Sequence, residues 1–126
     1  MARRTAIHID GFGHRNPIPA ACRIGNIIES GGIRGVDAAG NVPPGLEDQC
    51  RLMFANVRRI VEAGGGGMDD IVKLTVWLQD ADDRSALNKV WLEYFPDPAS
   101  RPARHTMQQD MPAPKLVDCV FTAVLP

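Results

Sequence analysis

Cysteine is scarce in this sequence of 126 residues: Cys22, Cys50 and Cys119 are an odd number at wide spacing. No C-x-x-C pair occurs, so a disulfide framework is not expected, and the apolar neighbours predict buried, reduced thiols. Histidine is equally sparse. His8, His14 and His105 have no i, i+4 partners and no Cys/His cluster around them, so neither a metal nor an organic cofactor is implied. No run approaches the ~18 apolar residues of a membrane-spanning helix. The apolar stretch after Arg3-Arg4 is shorter than a secretory core of ~7–15 residues, and a cytoplasmic location is expected. Charge of one sign is also missing. Fourteen Lys+Arg stand against fifteen Asp+Glu, a net charge of -1. Together with few aromatic residues, 6%, this argues against a general nucleic-acid binder.

What is present is an ordinary globular composition, 44% hydrophobic and 23% charged, at a length that fits one domain over 1–126. There is no internal repeat. Gly64-Gly65-Gly66-Gly67 resembles a phosphate cradle, but it follows a helical segment and lacks a downstream Lys-Ser/Thr, so a helix stop is the better reading. That helical segment is the clearest in the chain. Leu46, Cys50, Met53, Phe54, Val57, Ile60 and Val61 make one apolar face, with Arg51, Asn56, Arg58 and Glu62 off it and Glu47 and Asp48 in the first turn.

Strands are expected at Thr5 to Ile9, Ala20 to Ile24, Ile27 to Ser30, Ile71 to Leu78, Ala103 to Gln108 and Lys115 to Leu125, with residues 34 to 44 as a loop. In the 71–78 strand, Lys73, Thr75 and Trp77 alternate with Val72, Leu74, Val76 and Leu78. A second helix carries Leu87, Val90, Trp91, Tyr94 and Phe95, capped by Asp82 or Asp83 and ended by Pro96 and Pro98. The order β-β-β-α-β-α-β-β predicts an α+β domain, a mixed sheet with both helices on one face. Its other face keeps apolar residues, which points to a partner subunit.

Four segments and a fifth that follows them carry a resemblance. They are Ser30-Gly31-Gly32-Ile33, Asn56 to Gly64, Asp70 to Leu78, Asn88 to Pro96, and Arg101-Pro102-Ala103-Arg104-His105-Thr106. Over residues 17 to 124 the chain resembles the RidA/YjgF family of imine and enamine deaminases. The resemblance implies a chorismate-mutase-like fold and a homotrimer with clefts between subunits. It also implies hydrolysis of small carboxylate-bearing imines or enamines, 2-imino acids or a pathway-specific enamine such as an aminomuconate, with release of ammonia. The arginine of the family's Pro-Ala-Arg segment, here Arg104, binds the substrate carboxylate, a role that suits the planar guanidinium fork. Ser30, Gly31 and Ile33 match the strand end that lines the cleft, with a plain hairpin edge as the alternative. Asn88 matches a position near the cleft, or else caps or braces its helix. Thr106 falls where relatives place a small polar residue or a cysteine.

The sequence departs from the family at two places. The tyrosine of the family's Gly-Pro-Tyr segment is Ile18, and the glutamate of its last strand is Val120. Asp118 shares a strand face with Val120, about two rises (~6–7 Å) away, and is a candidate to substitute. His14, in a loop, is a second candidate for proton transfer. His105 neighbours Arg104 but is expected to face the other way. A non-catalytic trimer that binds small carboxylates is the alternative function.

Overall fold

The strongest periodicity in the sequence builds the longest element. In the computed structural model of the chain, which describes residues 3–13 and 15–126, helix α1 runs over Leu46–Ala63. Cys50, Met53, Phe54, Val57, Ile60 and Val61 are all buried along it. Gly64 ends it, donating its N–H to the Ile60 carbonyl at 3.1 Å. Gly65 then reverses the chain at φ +95°, a conformation that costs glycine little. A Cβ at Gly64 would lie 2.7 Å from the Cδ1 atoms of Ile7 and Ile28. The glycine run is therefore a helix stop and a point of close packing.

Two polar residues of α1 are buried, Asn56 against expectation. Asn56, assigned by periodicity to the outer side, is 4% exposed. Its Nδ2 donates to the carbonyls of Arg34 and Val36, 3.0 Å each. Gln49 is completely buried. Its Nε2 donates to the carbonyls of Pro43 and Pro114 and its Oε1 accepts the Leu116 N–H, all at 2.8 Å. Both side chains fasten irregular backbone to the helix, which is why they are inside.

The strands are β1 (Thr5–Ile7), β2 (Ala21–Ile24), β3 (Ile27–Ser30), β4 (Ile33–Arg34), β5 (Ile71–Leu78), β6 (Ala103–Gln108) and β7 (Val117–Val124). They form one mixed sheet in the order β1-β2-β3-β7-β5-β6, with β4 also pairing to β7. Only β5 and β6 run parallel, because helix α2 (Ser85–Tyr94) crosses between them. β1 stops at Ile7, short of the expected Ile9, which makes only an isolated bridge to Phe12. The expected 34–44 loop begins inside β4, whose Ile33 is fully buried.

A bulge corrects the β5 alternation: Ile71 pairs with Ala123 and Lys73 with Thr122, so Val72 is left over and 50% exposed. The residue before α2 is Arg84, with no side-chain cap. Asp83 instead accepts a bond from the Ser85 hydroxyl, at 3.3 Å.

Both helices pack on one sheet face. Phe54 stacks on Tyr94 at 5.3 Å between ring centroids, and Trp91 meets Phe95 at 4.6 Å. Cys50 and Cys119 lie in this core, as expected, but Cys22 is only partly buried. It pairs with Glu29 on the opposite, helix-free face, which also carries half-buried Trp77 and Val120 and exposed Ile27 and Val124.

Candidate active site

Strand parity decides what Arg104 can do. In β6, Arg104 pairs with Leu74 and Thr106 with Val76, both buried, so Arg104 and Thr106 point to the helix side. His105 pairs with Thr75 and is exposed on the other face, as expected.

Beneath α2 the Arg104 guanidinium meets two side chains one helical turn apart. Its Nη2 donates to Asn88 Oδ1 at 2.7 Å, and its Cζ sits 4.9 Å from the centre of the Trp91 ring. A hydrogen bond and a cation–π contact together fix the plane of the fork. No carboxylate pairs with it among the described residues. Its Nη1 is buried without a hydrogen-bond partner among the described residues. Partial burial, with the charge of Arg84 beside it, lowers its pKa from the ordinary value.

Through its hydrogen bond the Asn88 side chain joins α2 to Arg104 of β6. Trp91, which the sequence placed only in the core stripe, is the second support. Its spacing of three from Asn88 was the available clue. The two side chains, with Leu92, Arg101, Pro102 and Arg104, line a groove of about 470 Å³.

The strand-end residues lie elsewhere on the sheet. Ser30 Oγ accepts the Phe121 N–H at 2.8 Å and completes the ladder where the chain breaks between β3 and β4. Gly31 donates its N–H to the Ala20 carbonyl at 2.9 Å, and Ile33 is inside the core. Asp118 joins this strand end. A Cβ at Gly32 would lie 3.6 Å from its Oδ1, and its Oδ2 is 2.7 Å from Lys115 Nζ.

Phe121 is level with Leu74, and Leu74 with Arg104. Ser30 and Arg104 therefore stand in one transverse row, with β7 and β5 between them. Three strand spacings separate them, ~14 Å. Within one chain the structure brings Asn88 to Arg104 and Asp118 to Gly32, but does not join the two groups. Ile18 is exposed in its loop, and Val120 is half-buried on the helix-free face opposite Thr75. His14 lies outside the described residues. Among the described residues no three His, Cys, Asp or Glu side chains are placed to hold a metal ion, and no helix is long and apolar enough to cross a membrane.

The profile of the family described as endoribonuclease L-PSP matches residues 13–123. This chain belongs to the endoribonuclease L-PSP family. Its relatives within that family include deaminases by name. A 2-iminobutanoate/2-iminopropanoate deaminase of Dermatophagoides farinae is 32% identical over 93 residues, 72% of this chain and 71% of that one. A RutC family protein of Pyrococcus horikoshii is 36% identical over 90 residues, 70% of each chain. Among solved structures, RidA of a Psychrobacter species superposes with a TM-score of 0.88 at 27% identity, covering 96% of this chain and 99% of that one. TdcF of Escherichia coli with bound serine gives 0.88 at 27% identity, covering 97% and 99%. The α+β, chorismate-mutase-like fold expected from the sequence is the family's fold. On that fold the Pro-Ala-Arg segment falls at the start of β6, which is why Arg104 sits at a sheet edge under α2.

Proposed function

We propose that this chain is a hydrolase of small imines or enamines that carry a carboxylate, working as a homotrimer. The observation that carries the reading is Arg104. It is a guanidinium fixed by Asn88 and Trp91 at the wall of a groove, with no carboxylate of the described residues bound to it. A half-buried cation with an unanswered donor calls for an anion, and a carboxylate matches its fork. Held there, a 2-imino acid presents its C=N carbon to water. Water adds to that carbon, the nitrogen takes up a proton, and ammonia leaves as the C–N bond breaks to give the 2-oxo acid. The names of the relatives support this reaction class.

The ~14 Å between Arg104 and the strand end supports the homotrimer. A cleft lined by both groups needs Arg104 of one copy and Ser30, Gly31 and the backbone at Ile33 of another. Asp118 would enter the same cleft from that strand end as the candidate proton-transfer group, in place of the absent glutamate. Thr106, two residues along β6 on the Arg104 face, would serve the arginine side of the cleft.

A second reading, a trimeric carboxylate binder without catalysis, is favoured by one observation: the groove beside Arg104 has no acidic or histidine side chain in its wall. Ribonuclease action, which the family description names, is disfavoured by the net charge of -1.

The test supplies 2-iminopropanoate and 2-iminobutanoate from an amino-acid oxidase and follows the semicarbazide-trappable imine. The wild type should speed imine loss, and Arg104→Ala should lose at least about ten-fold of that acceleration while the trimer persists in light scattering. Carboxylate-dependent thermal stabilisation without any acceleration would favour the binder.

A further inference from the structure

The groove that holds Arg104 has a second cation in its wall. Arg101 Nε donates to the Phe95 carbonyl at 2.8 Å and its Nη2 to the Pro96 carbonyl at 3.2 Å. The Arg101 head is therefore anchored at the C-terminal end of α2, where the carbonyls of the last turn favour a cation. Arg104 is anchored at Asn88, near the other end of the same helix. Seven residues separate the two anchors, ~10 Å along the helix axis at ~1.5 Å per residue. Trp91, Leu92 and Pro102 form an apolar floor between them, and no carboxylate lines the groove. Asp69 lines the adjoining hollow together with Arg101 but forms no ion pair with it. Arg84 adds further positive charge near Arg104.

We infer that the substrate is a dicarboxylate: an imine or enamine with a carboxylate beside the C=N carbon for Arg104 and a distal carboxylate for Arg101. A single small carboxylate would satisfy one end of this groove and leave Arg101, which lines the other, without a carboxylate. Each guanidinium–carboxylate contact takes up part of the ~10 Å. The remainder is left for a short carbon chain between the two carboxylates. The apolar floor suits the hydrocarbon middle of such a ligand. This inference rests on the deaminase reading for its chemistry, and on the groove alone for its charge pattern.

The experiment compares 2-iminoglutarate with 2-iminopropanoate, both generated by amino-acid oxidases with catalase present. It uses the wild type and Arg101→Gln, which keeps an amide donor for the helix end and removes the charge. In parallel, calorimetry measures binding of 2-oxoglutarate and 2-oxobutanoate. The dicarboxylate imine is expected to have the higher kcat/KM in the wild type. In Arg101→Gln the ratio of the two kcat/KM values should fall by about ten-fold or more, the worth of one hydrogen bond between charged groups. A purely structural Arg101, serving only the end of α2, would lower both values alike and leave the ratio where it was, which overturns the inference and spares the deaminase reading. If neither imine is accelerated, the deaminase reading falls. The calorimetry then still decides: 2-oxoglutarate binding more tightly than 2-oxobutanoate, and losing that margin in Arg101→Gln, upholds the two-ended site, and equal binding overturns it.

Discussion

Asn88→Asp separates a residue that orients Arg104 from one that merely supports its helix. The new carboxylate would take the place of Oδ1, now 2.7 Å from Arg104 Nη2. For the folded chain this is mildly favourable. It creates an ion pair at a largely exposed residue, worth ~0–1 kcal/mol. It also puts an acid in the first turns of α2, whose opening turn has none. For a bound carboxylate the sign reverses. A ligand carboxylate on the same guanidinium would lie about 5 Å from the oxygens of the introduced carboxylate. Like charges at that distance repel by about 3 kcal/mol at an effective dielectric of about 20, and about 1 kcal/mol in the water limit. Carboxylate affinity should therefore fall about 5- to 150-fold while Tm stays level or rises. Asn88→Ala, which removes one acceptor without adding charge, should lose about five-fold, the worth of one ordinary hydrogen bond. Calorimetric titration with 2-oxobutanoate and a thermal melt of each variant read both quantities. A lowered Tm with unchanged affinity in Asn88→Asp would show that Asn88 serves the helix and that Arg104 does not bind the ligand carboxylate.

Gln49→Met keeps the shape of the side chain but strands the Pro43 and Pro114 carbonyls and the Leu116 N–H. At about 1 kcal/mol for each, it should cost ~3 kcal/mol and about 10 °C in Tm, and an unchanged melt would show that water replaces the amide. Burial pushes the Cys50 thiol up to about 12, with Glu47 adding to the rise, and holds Cys119 well above its usual value. Because only the thiolate reacts, both should resist Ellman's reagent in the native protein through about pH 9. No more than one thiol per chain, Cys22, should titrate before denaturation, and all three after it.

The parts of the fold set by repetition were legible in the sequence. The α1 stripe, the β6 bounds, the β3 strand and the placing of Arg104 and His105 on opposite faces all follow from periods of ~3.6 and ~2. What escaped were residues whose partners are far along the chain. Asn56 read as polar surface because its acceptors, the carbonyls of Arg34 and Val36, are fixed only by the tertiary path, as are the partners of Gln49. The bulge at Val72 is invisible to a strict alternation. β4, two residues long, has no periodicity to detect and exists because β7 offers Cys119 and Asp118 as partners. At the site, Arg104 and Asn88 were named from a resemblance. Their contact, the Trp91 support and the pairing of Asp118 with Lys115 came only from the structure.

The ~14 Å between Arg104 and the Ser30–Asp118 strand end makes a sharper demand than the loss of either residue alone. If both belong to one catalytic cleft, that cleft is shared between copies, and two inactive variants should complement each other. Arg104→Ala chains retain the strand end, and Asp118→Asn chains retain the arginine. In a cyclic trimer reassembled from an equal mixture, a cleft is intact only when its arginine comes from an Asp118→Asn chain and its strand end from an Arg104→Ala chain. Random assembly makes this true of about a quarter of the clefts, so about a quarter of wild-type activity should return. Recovery should vanish when the variants are mixed without unfolding, because subunits then stay with their own kind. If Asp118→Asn keeps full activity on its own, Asp118 handles no proton. If both variants are inactive and co-refolding restores nothing, the two groups do not act in one shared cleft, and the homotrimeric site proposed above is refuted.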